Sequence, residues 1–296
     1  MTPAWSFFLL GAAAGYQTGT GSALAGSRPP FPEITALLAL TAILATAYLL
    51  NQIFDRETDR LNNKVFFLSR GLFTVKNLVF MALAYFLMAS MLFHQVTAPQ
   101  KLPLVMALLL SLTYSLPPAR LCSRPAFDLL ANAAGFGGIA FITGFTVYNP
   151  SSGEAIVLSL PYVFLTGGTF LFTTIMDLEG DRKTGKLTTG IAIGERNSER
   201  LACALIVAGL AIALATRNGM AVILVGLAAG VCIYLLVRRP RGMHPLFVQA
   251  ASLAVIVGAT AAWPLYAAVI VPLVLLSRFY FQRRFGISYP GLRKDA

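Results

Sequence analysis

With 296 residues, 57% of them hydrophobic and only 12% charged, this chain lies far from the composition of water-soluble domains, where about 25% of residues are charged. The net charge of +11 does not by itself indicate a nucleic-acid partner, because in so apolar a chain the placement of the basic residues matters more than their sum. The length instead predicts a polytopic membrane protein of nine or ten spans of about 20 residues each, with no room for a separate soluble domain.

In chain order, the apolar start (Trp5 to Leu10) lacks the basic region of a cleavable signal peptide and reads as part of a first span over 5–25. A second run, 33–53, ends in Asn51-Gln52-Ile53-Phe54-Asp55-Arg56-Glu57-Thr58-Asp59-Arg60. Runs 75–94 and 101–117 follow, the latter ending in Tyr114-Ser115-Leu116-Pro117-Pro118-Ala119-Arg120-Leu121. Runs 126–147 and 158–176 carry the glycines Gly135, Gly137, Gly138, Gly144, Gly167 and Gly168, small residues that let membrane helices approach closely. The sixth run leads into Asp177-Leu178-Glu179-Gly180-Asp181-Arg182. The last runs are 199–216, 219–237, 245–263 and 265–282, with Pro264 between the final two, where a proline ends or kinks a helix. Cys122, Cys203 and Cys232 lack CxxC spacing and indicate neither a disulfide framework nor a zinc site. His94 and His244 are read as incidental loop residues.

Placing both aspartate motifs on one side and alternating through ten spans puts 20 Lys and Arg on that side and leaves only Arg28, Lys101 and Arg217 on the other. The positive-inside rule then predicts a cytoplasmic face for the motifs. An even number of spans separates the two motifs, so the chain reads as two parallel repeats within one domain.

Chemistry follows from spacing. Residues i and i+4 share a helix face, so Asn51, Asp55 and Asp59 form one stripe and Asp177 and Asp181 another. Carboxylates gathered at a membrane rim repel one another unless a cation lies among them. Their hard oxygens suit magnesium, which typically bridges a few protein carboxylates to substrate phosphates. Flanking Arg and Lys could stabilise a departing diphosphate, and a dry cavity would protect an allylic cation.

These three segments together resemble the UbiA-type intramembrane prenyltransferases. Asn51-x3-Asp55-x3-Asp59-Arg60-Leu61-Asn62 is similar to the family's first motif, Asp177-x-Glu179-Gly180-Asp181-Arg182-x2-Gly185-x2-Thr188 to its second, and the Tyr114–Leu121 segment to the stretch between them. The resemblance implies an all-α bundle of nine to ten transmembrane helices around a central cavity, with two parallel four-helix-like halves and cytoplasmic cap loops, in a single domain over 1–296. It implies Mg2+-dependent transfer of a prenyl group from a prenyl diphosphate to a hydrophobic, aromatic, quinone-precursor-like acceptor at the lipid bilayer. Asn51, Asp55, Asp59, Asp177 and Asp181 would hold the metal, and Tyr114 and Arg120 would lie near the leaving group. Arg56, Arg70, Arg120, Arg182 and Lys183 would face the phosphates. The sequence departs from the pattern after the first motif, where Phe66 stands at a usual arginine position and Arg70 follows in the same loop, and at Cys122, where the family has lysine. A terpene-cyclase variant of the same fold, an ion-coupled transporter and a lipid-headgroup transferase are the competing readings. Acids at span ends and parallel rather than inverted halves speak against the transporter.

Overall fold

The computed structural model describes residues 2–20, 34–62, 68, 71–240 and 242–286. Among these the chain is helical with connecting turns and contains no strand. Hydrocarbon offers no hydrogen-bond partners, so an apolar segment crossing it must satisfy its own backbone, and the α-helix does so within one segment.

The elements are α1 (Thr2–Thr20), α2 (Ile34–Phe54), α3 (Arg56–Leu61), α4 (Val75–Phe93) and α5 (Ala98–Ser115). A broken span follows, made of α6 (Phe127–Asn132), a π-helical segment (Ala133–Ile139) and α7 (Ala140–Phe145). Then come α8 (Ser152–Thr184), α9 (Thr189–Ile193), α10 (Glu195–Ala215), α11 (Gly219–Arg238), α12 (Met243–Ala262) and α13 (Leu265–Phe285). Polar side chains set several starts: Thr74 and Asn77 form a capping box at α4, and Asn218 caps α11 by accepting from Ala221 N–H at 3.1 Å. Pro264 separates α12 from α13, as its position predicts.

Among the described residues, eight helices are long and apolar enough to cross a membrane: α2, α4, the 127–145 span, α8 and α10 to α13. The sequence count expects nine or ten. The first and fourth apolar runs do form α1 and α5, but α5 opens on Ala98-Pro99-Gln100-Lys101 and α1 closes on Gln17-Thr18-Gly19-Thr20, and these polar turns dilute both.

The packing reflects the duplication. Helix α2, which carries the first motif, packs chiefly on the helix that follows it, α4, and α8, which carries the second, packs chiefly on α10. Helix α1 packs on α7 and α12, and closes the bundle between the halves. Gly11 lies against the Phe141 carbonyl and Gly144 against the Phe8 carbonyl, so any Cβ at either position would collide with backbone. Such close approach gives the dispersion contact that holds helices together in lipid. Trp263, on the turn before α13, donates to the Leu9 carbonyl at 2.7 Å, and Tyr266 meets Ser6 at 3.2 Å.

At the motif end of the second half, Glu199 of α10 is 1% exposed. It accepts from Arg239 after α11 at 2.7 Å and pairs with His244 of α12 at 3.0 Å. His244 is therefore neither a loop residue nor incidental: it lies in α12 and helps one carboxylate hold three helix ends. Removing that charge weakens both of its charge-assisted contacts, to Arg239 and to partly buried His244. Glu199→Gln is expected to lower stability by about 1–3 kcal/mol, read as a lower thermal midpoint in detergent.

Two apolar cavities occupy the middle of the bundle. One, of about 180 Å3, lies between α2, α5 and the π-helical segment. The other, of about 220 Å3, lies between α1, α8, α12 and the same segment. Tyr48, Asn132 and Phe136 line both and form their common wall. The sequence Ala133-Ala134-Gly135-Phe136-Gly137-Gly138 crowds this stretch with small residues, and Gly137 sits directly on the backbone of Tyr162. A π-helical turn inside an α-helix often marks a functional site; here it presents Phe136 to both cavities.

Candidate active site at the motif end of the bundle

The first aspartate stripe crosses a small break. Helix α2 ends at Phe54, and Asp55 sits between α2 and α3 at φ −102°, ψ 13°. The ladder continues regardless: Asp55 N–H donates to the Asn51 carbonyl at 2.8 Å and Asp59 N–H to the Asp55 carbonyl at 2.9 Å. Asn51, Asp55 and Asp59 therefore keep the common face that their spacing predicts. Asn51 donates to the Asp55 carboxylate at 3.1 Å while also lining the first apolar cavity, so it joins the polar rim to the greasy interior.

The second stripe lies on unbroken α8. Asp181 is buried and accepts from Thr188 at 3.4 Å, with half-buried Asp177 one turn earlier. Gly185, in the left-handed conformation at φ +69°, ends the helix. Lys186 N–H then reaches back to the Asp181 carbonyl at 2.9 Å, the backbone closure of a glycine helix terminus. This reversal turns Lys186 inward.

The two stripes meet. Gly180 N–H donates to the Asn62 side chain at 3.0 Å, and Thr58 donates to Thr184 at 3.0 Å. A Cβ at position 180 would collide with the Asn62 amide, so the glycine within the second motif permits the approach. The third segment enters from α5. Arg120 adopts a left-handed backbone, φ 37° and ψ 57°, a strained geometry of the kind that clusters at functional sites. From there its guanidinium donates to Asp55 at 3.1 Å and to the Phe54 carbonyl at 3.3 Å.

Asp55 is thus held by two cations, Arg120 and, at 2.6 Å, Lys186. Burial alone would raise its pKa, but Lys186 and then Arg120 outweigh burial and hold the carboxyl below its ordinary 3.8. Burial would likewise lower Lys186, yet Asp55 keeps its ammonium above the ordinary 10.5. Around these groups opens a mouth cavity of about 410 Å3, lined by Thr58, Arg120, Lys183, Thr184 and Lys186 among others. Tyr114 lines the first apolar cavity and accepts from Asn132 at 2.8 Å.

The expected site residues therefore separate. Asn51, Asp55, Asp59, Asp181, Arg120 and Tyr114 lie in or beside the mouth and its cavity, with Asp177 one turn deeper on α8. Lys183 lines the mouth but pairs with Glu179 at 2.6 Å, and Arg56 and Arg182 are exposed away from it. Arg70 and Phe66 lie outside the described residues. Lys186, absent from the sequence-derived phosphate set, is the basic residue most deeply built into the site; its one advance signal is its position directly behind a helix-ending glycine.

The donor set fits magnesium. Asp55, Asp59, Asp177 and Asp181 are hard oxygen ligands, and against Arg120 and Lys186 they leave a formal charge of −2, which one divalent cation neutralises. Buried Asn62 Nδ2, which has no hydrogen-bond partner in the protein, adds a donor suited to a phosphate oxygen. Among the described residues, the group whose ligand atoms lie within 4.8 Å of one another is elsewhere, at Glu195, Glu199 and His244. Arg239 pairs with Glu199 of that cluster, which serves as the helix tie described above.

Residues 8–245 match the sequence model of the UbiA prenyltransferase family. A 2-acylphloroglucinol 4-prenyltransferase of Humulus lupulus is 29% identical over 196 residues, covering 61% of this chain and 46% of that protein. A chloroplastic 2-acylphloroglucinol 4-prenyltransferase of the same plant is 28% identical, covering 61% and 47%. The chain therefore spans about half the length of these relatives. A UbiA homologue from Archaeoglobus fulgidus, solved with GPP and Mg2+, superposes with a TM-score of 0.65 at 20% identity, covering 88% of this chain and 96% of that one. The apo structure of a UbiA homologue from Aeropyrum pernix K1 gives 0.67 at 18% identity, covering 91% and 98%.

Proposed function

This multi-pass, all-helical membrane protein belongs to the UbiA prenyltransferase family, and on that premise we propose that it moves a prenyl group from a prenyl diphosphate to a hydrophobic, aromatic acceptor inside the bilayer. The observation that carries the proposal is the convergence of two aspartate stripes and two cations, Arg120 and the largely buried Lys186, on one mouth above paired apolar cavities. The aromatic acceptor is supported by the acylphloroglucinol named for the Humulus relatives, and the donor by the GPP and Mg2+ of the Archaeoglobus structure.

In this reading the diphosphate sits in the mouth and the isoprenoid chain lies in the apolar cavities. Asp55, Asp59, Asp177 and Asp181 would hold magnesium, which supplies charge neutralisation to the diphosphate oxygens. Arg120 and Lys186 are fixed on Asp55 before substrate arrives. Their remaining N–H groups stabilise the charge that develops as the allylic C–O bond breaks and its electron pair leaves with diphosphate. Tyr48, Tyr114 and Phe136 line the cavity in which the allylic cation would form, and aromatic rings can stabilise such a charge. The apolar walls limit water while an acceptor carbon attacks the cation, after which the ring proton passes to the released diphosphate. The concentration of basic residues at this end supports a cytoplasmic mouth.

The test uses purified protein in lipid vesicles with geranyl diphosphate, Mg2+ and a series of aromatic acceptors including an acylphloroglucinol. A prenylated aromatic product that disappears on chelation is expected. Cyclised hydrocarbon without prenylated acceptor would transfer the assignment to the cyclase variant. Absence of any Mg2+-dependent consumption of geranyl diphosphate would end the proposal.

A further inference from the structure

The site contains a buried carboxylate that the chemistry above does not use. Asp128, the second residue of α6, is 0% exposed, and an unpaired carboxylate at such depth would be very costly. Its partners explain it. Thr189 N–H donates to one oxygen at 2.8 Å, and the Thr189 hydroxyl and Leu129 N–H both meet the other. The Thr189 hydroxyl also accepts from Ala126 N–H at 2.8 Å. Thr189 thus sits in a socket formed by Ala126 and Asp128, 63 and 61 residues away in sequence.

The elements joined by this socket are the two that deliver cations to Asp55. Upstream of Asp128, the chain runs back through Arg124, whose carbonyl accepts from Asp128 N–H at 3.0 Å, to Arg120. Upstream of Thr189 lie Thr188, which bonds Asp181, and Lys186. The Asp128 carbonyl also accepts from Asn132, which holds the Tyr114 hydroxyl. We propose that Asp128 and Thr189 form a staple that sets the separation of Arg120 and Lys186, making Asp128 a positioning residue for diphosphate capture. The effect on substrate rests on the prenyl-diphosphate reading; the staple does not. With the staple in place, both cations arrive at Asp55 without further ordering when the anion enters. Without it, the 182–189 turn keeps the Thr58–Thr184 bond and its ties to Asp55 and Asp181, and the metal and diphosphate would also engage the last two.

Hydrogen exchange on the ligand-free protein tests the staple, and Mg2+-dependent binding of radiolabelled geranyl diphosphate tests its consequence. Asp128→Asn and Thr189→Val are expected to speed exchange across residues 182–189 and weaken binding about 10–100-fold, the range typical of residues that orient a site's ligands. Thr189→Ser, which keeps both donors, should restore both readouts. Combined with Lys186→Gln, Asp128→Asn should add little, because coupled residues are non-additive. Unchanged exchange in both Asp128→Asn and Thr189→Val overturns the staple, and full additivity with Lys186→Gln overturns its action through the lysine. If wild-type protein binds no geranyl diphosphate while exchange still responds, the staple stands and the prenyl-diphosphate reading fails.

Discussion

Asp55→Ala is expected to reduce prenyl transfer by roughly 10³-fold, at the upper end of what removal of one preorganised electrostatic group costs. The size follows from the position of Asp55 at the junction of all three site segments. It accepts from Asn51 near the end of α2, from Arg120 of the segment after α5 at 3.1 Å and from Lys186 just after α8 at 2.6 Å. Truncation removes a proposed metal ligand and also releases both cations from their fixed orientation. Product formation in vesicles measures the loss; activity within tenfold of wild type would remove Asp55 from the centre of the mechanism. The pH dependence of stability has a definite sign. Folding depresses the Asp55 pKa, so its contribution is present above the ordinary value of 3.8 and is lost as pH falls through the lower folded value. Thermal midpoints of wild type and Asp55→Asn should therefore converge only below about pH 4.

Lys186→Met should produce a split phenotype. Methionine keeps much of the buried stem but removes the charge, so turnover should fall about 10²–10³-fold, as for loss of one preorganised donor. The Mg2+ requirement should move the other way. Removing one of two cations from among four aspartates changes the formal charge from −2 to −3, and half-saturation by Mg2+ should shift to lower concentration. Turnover measured over a magnesium titration reads both effects. A fall in turnover with an unchanged or weakened Mg2+ response would mean that Lys186 and the metal do not share a field.

Most of the scaffold and the aspartate pair are legible in sequence, because hydrophobic run length and i, i+4 spacing are local properties. Asn51, Asp55 and Asp59 keep their common face even where the helix breaks, since the backbone ladder crosses the break. Basic residues are harder to read. Arg56, Arg182 and Lys183 stand beside the aspartates in sequence and look like phosphate ligands, yet a helix sends adjacent residues 100° apart, and Arg56 and Arg182 point outward. Lys186 looks like one more topology-setting charge until the left-handed turn at Gly185 redirects it. Asp128 and Glu199 give no local signal, because their partners Thr189, Arg239 and His244 lie 40 to 61 residues away.

The joints between the stripes bear on the protein's biosynthesis. Asn62 to Gly180 and Thr58 to Thr184 span 118 and 126 residues of chain. A nascent polypeptide halted before α8 has emerged therefore carries the first aspartate stripe with Arg120 paired to Asp55, but neither the second stripe nor Lys186. On the proposed reading, such an intermediate lacks half of the aspartates and one of the two cations of the site. The mouth is complete only once α8 and the turn after it have joined the first half, because both joints and Lys186 come from that later segment.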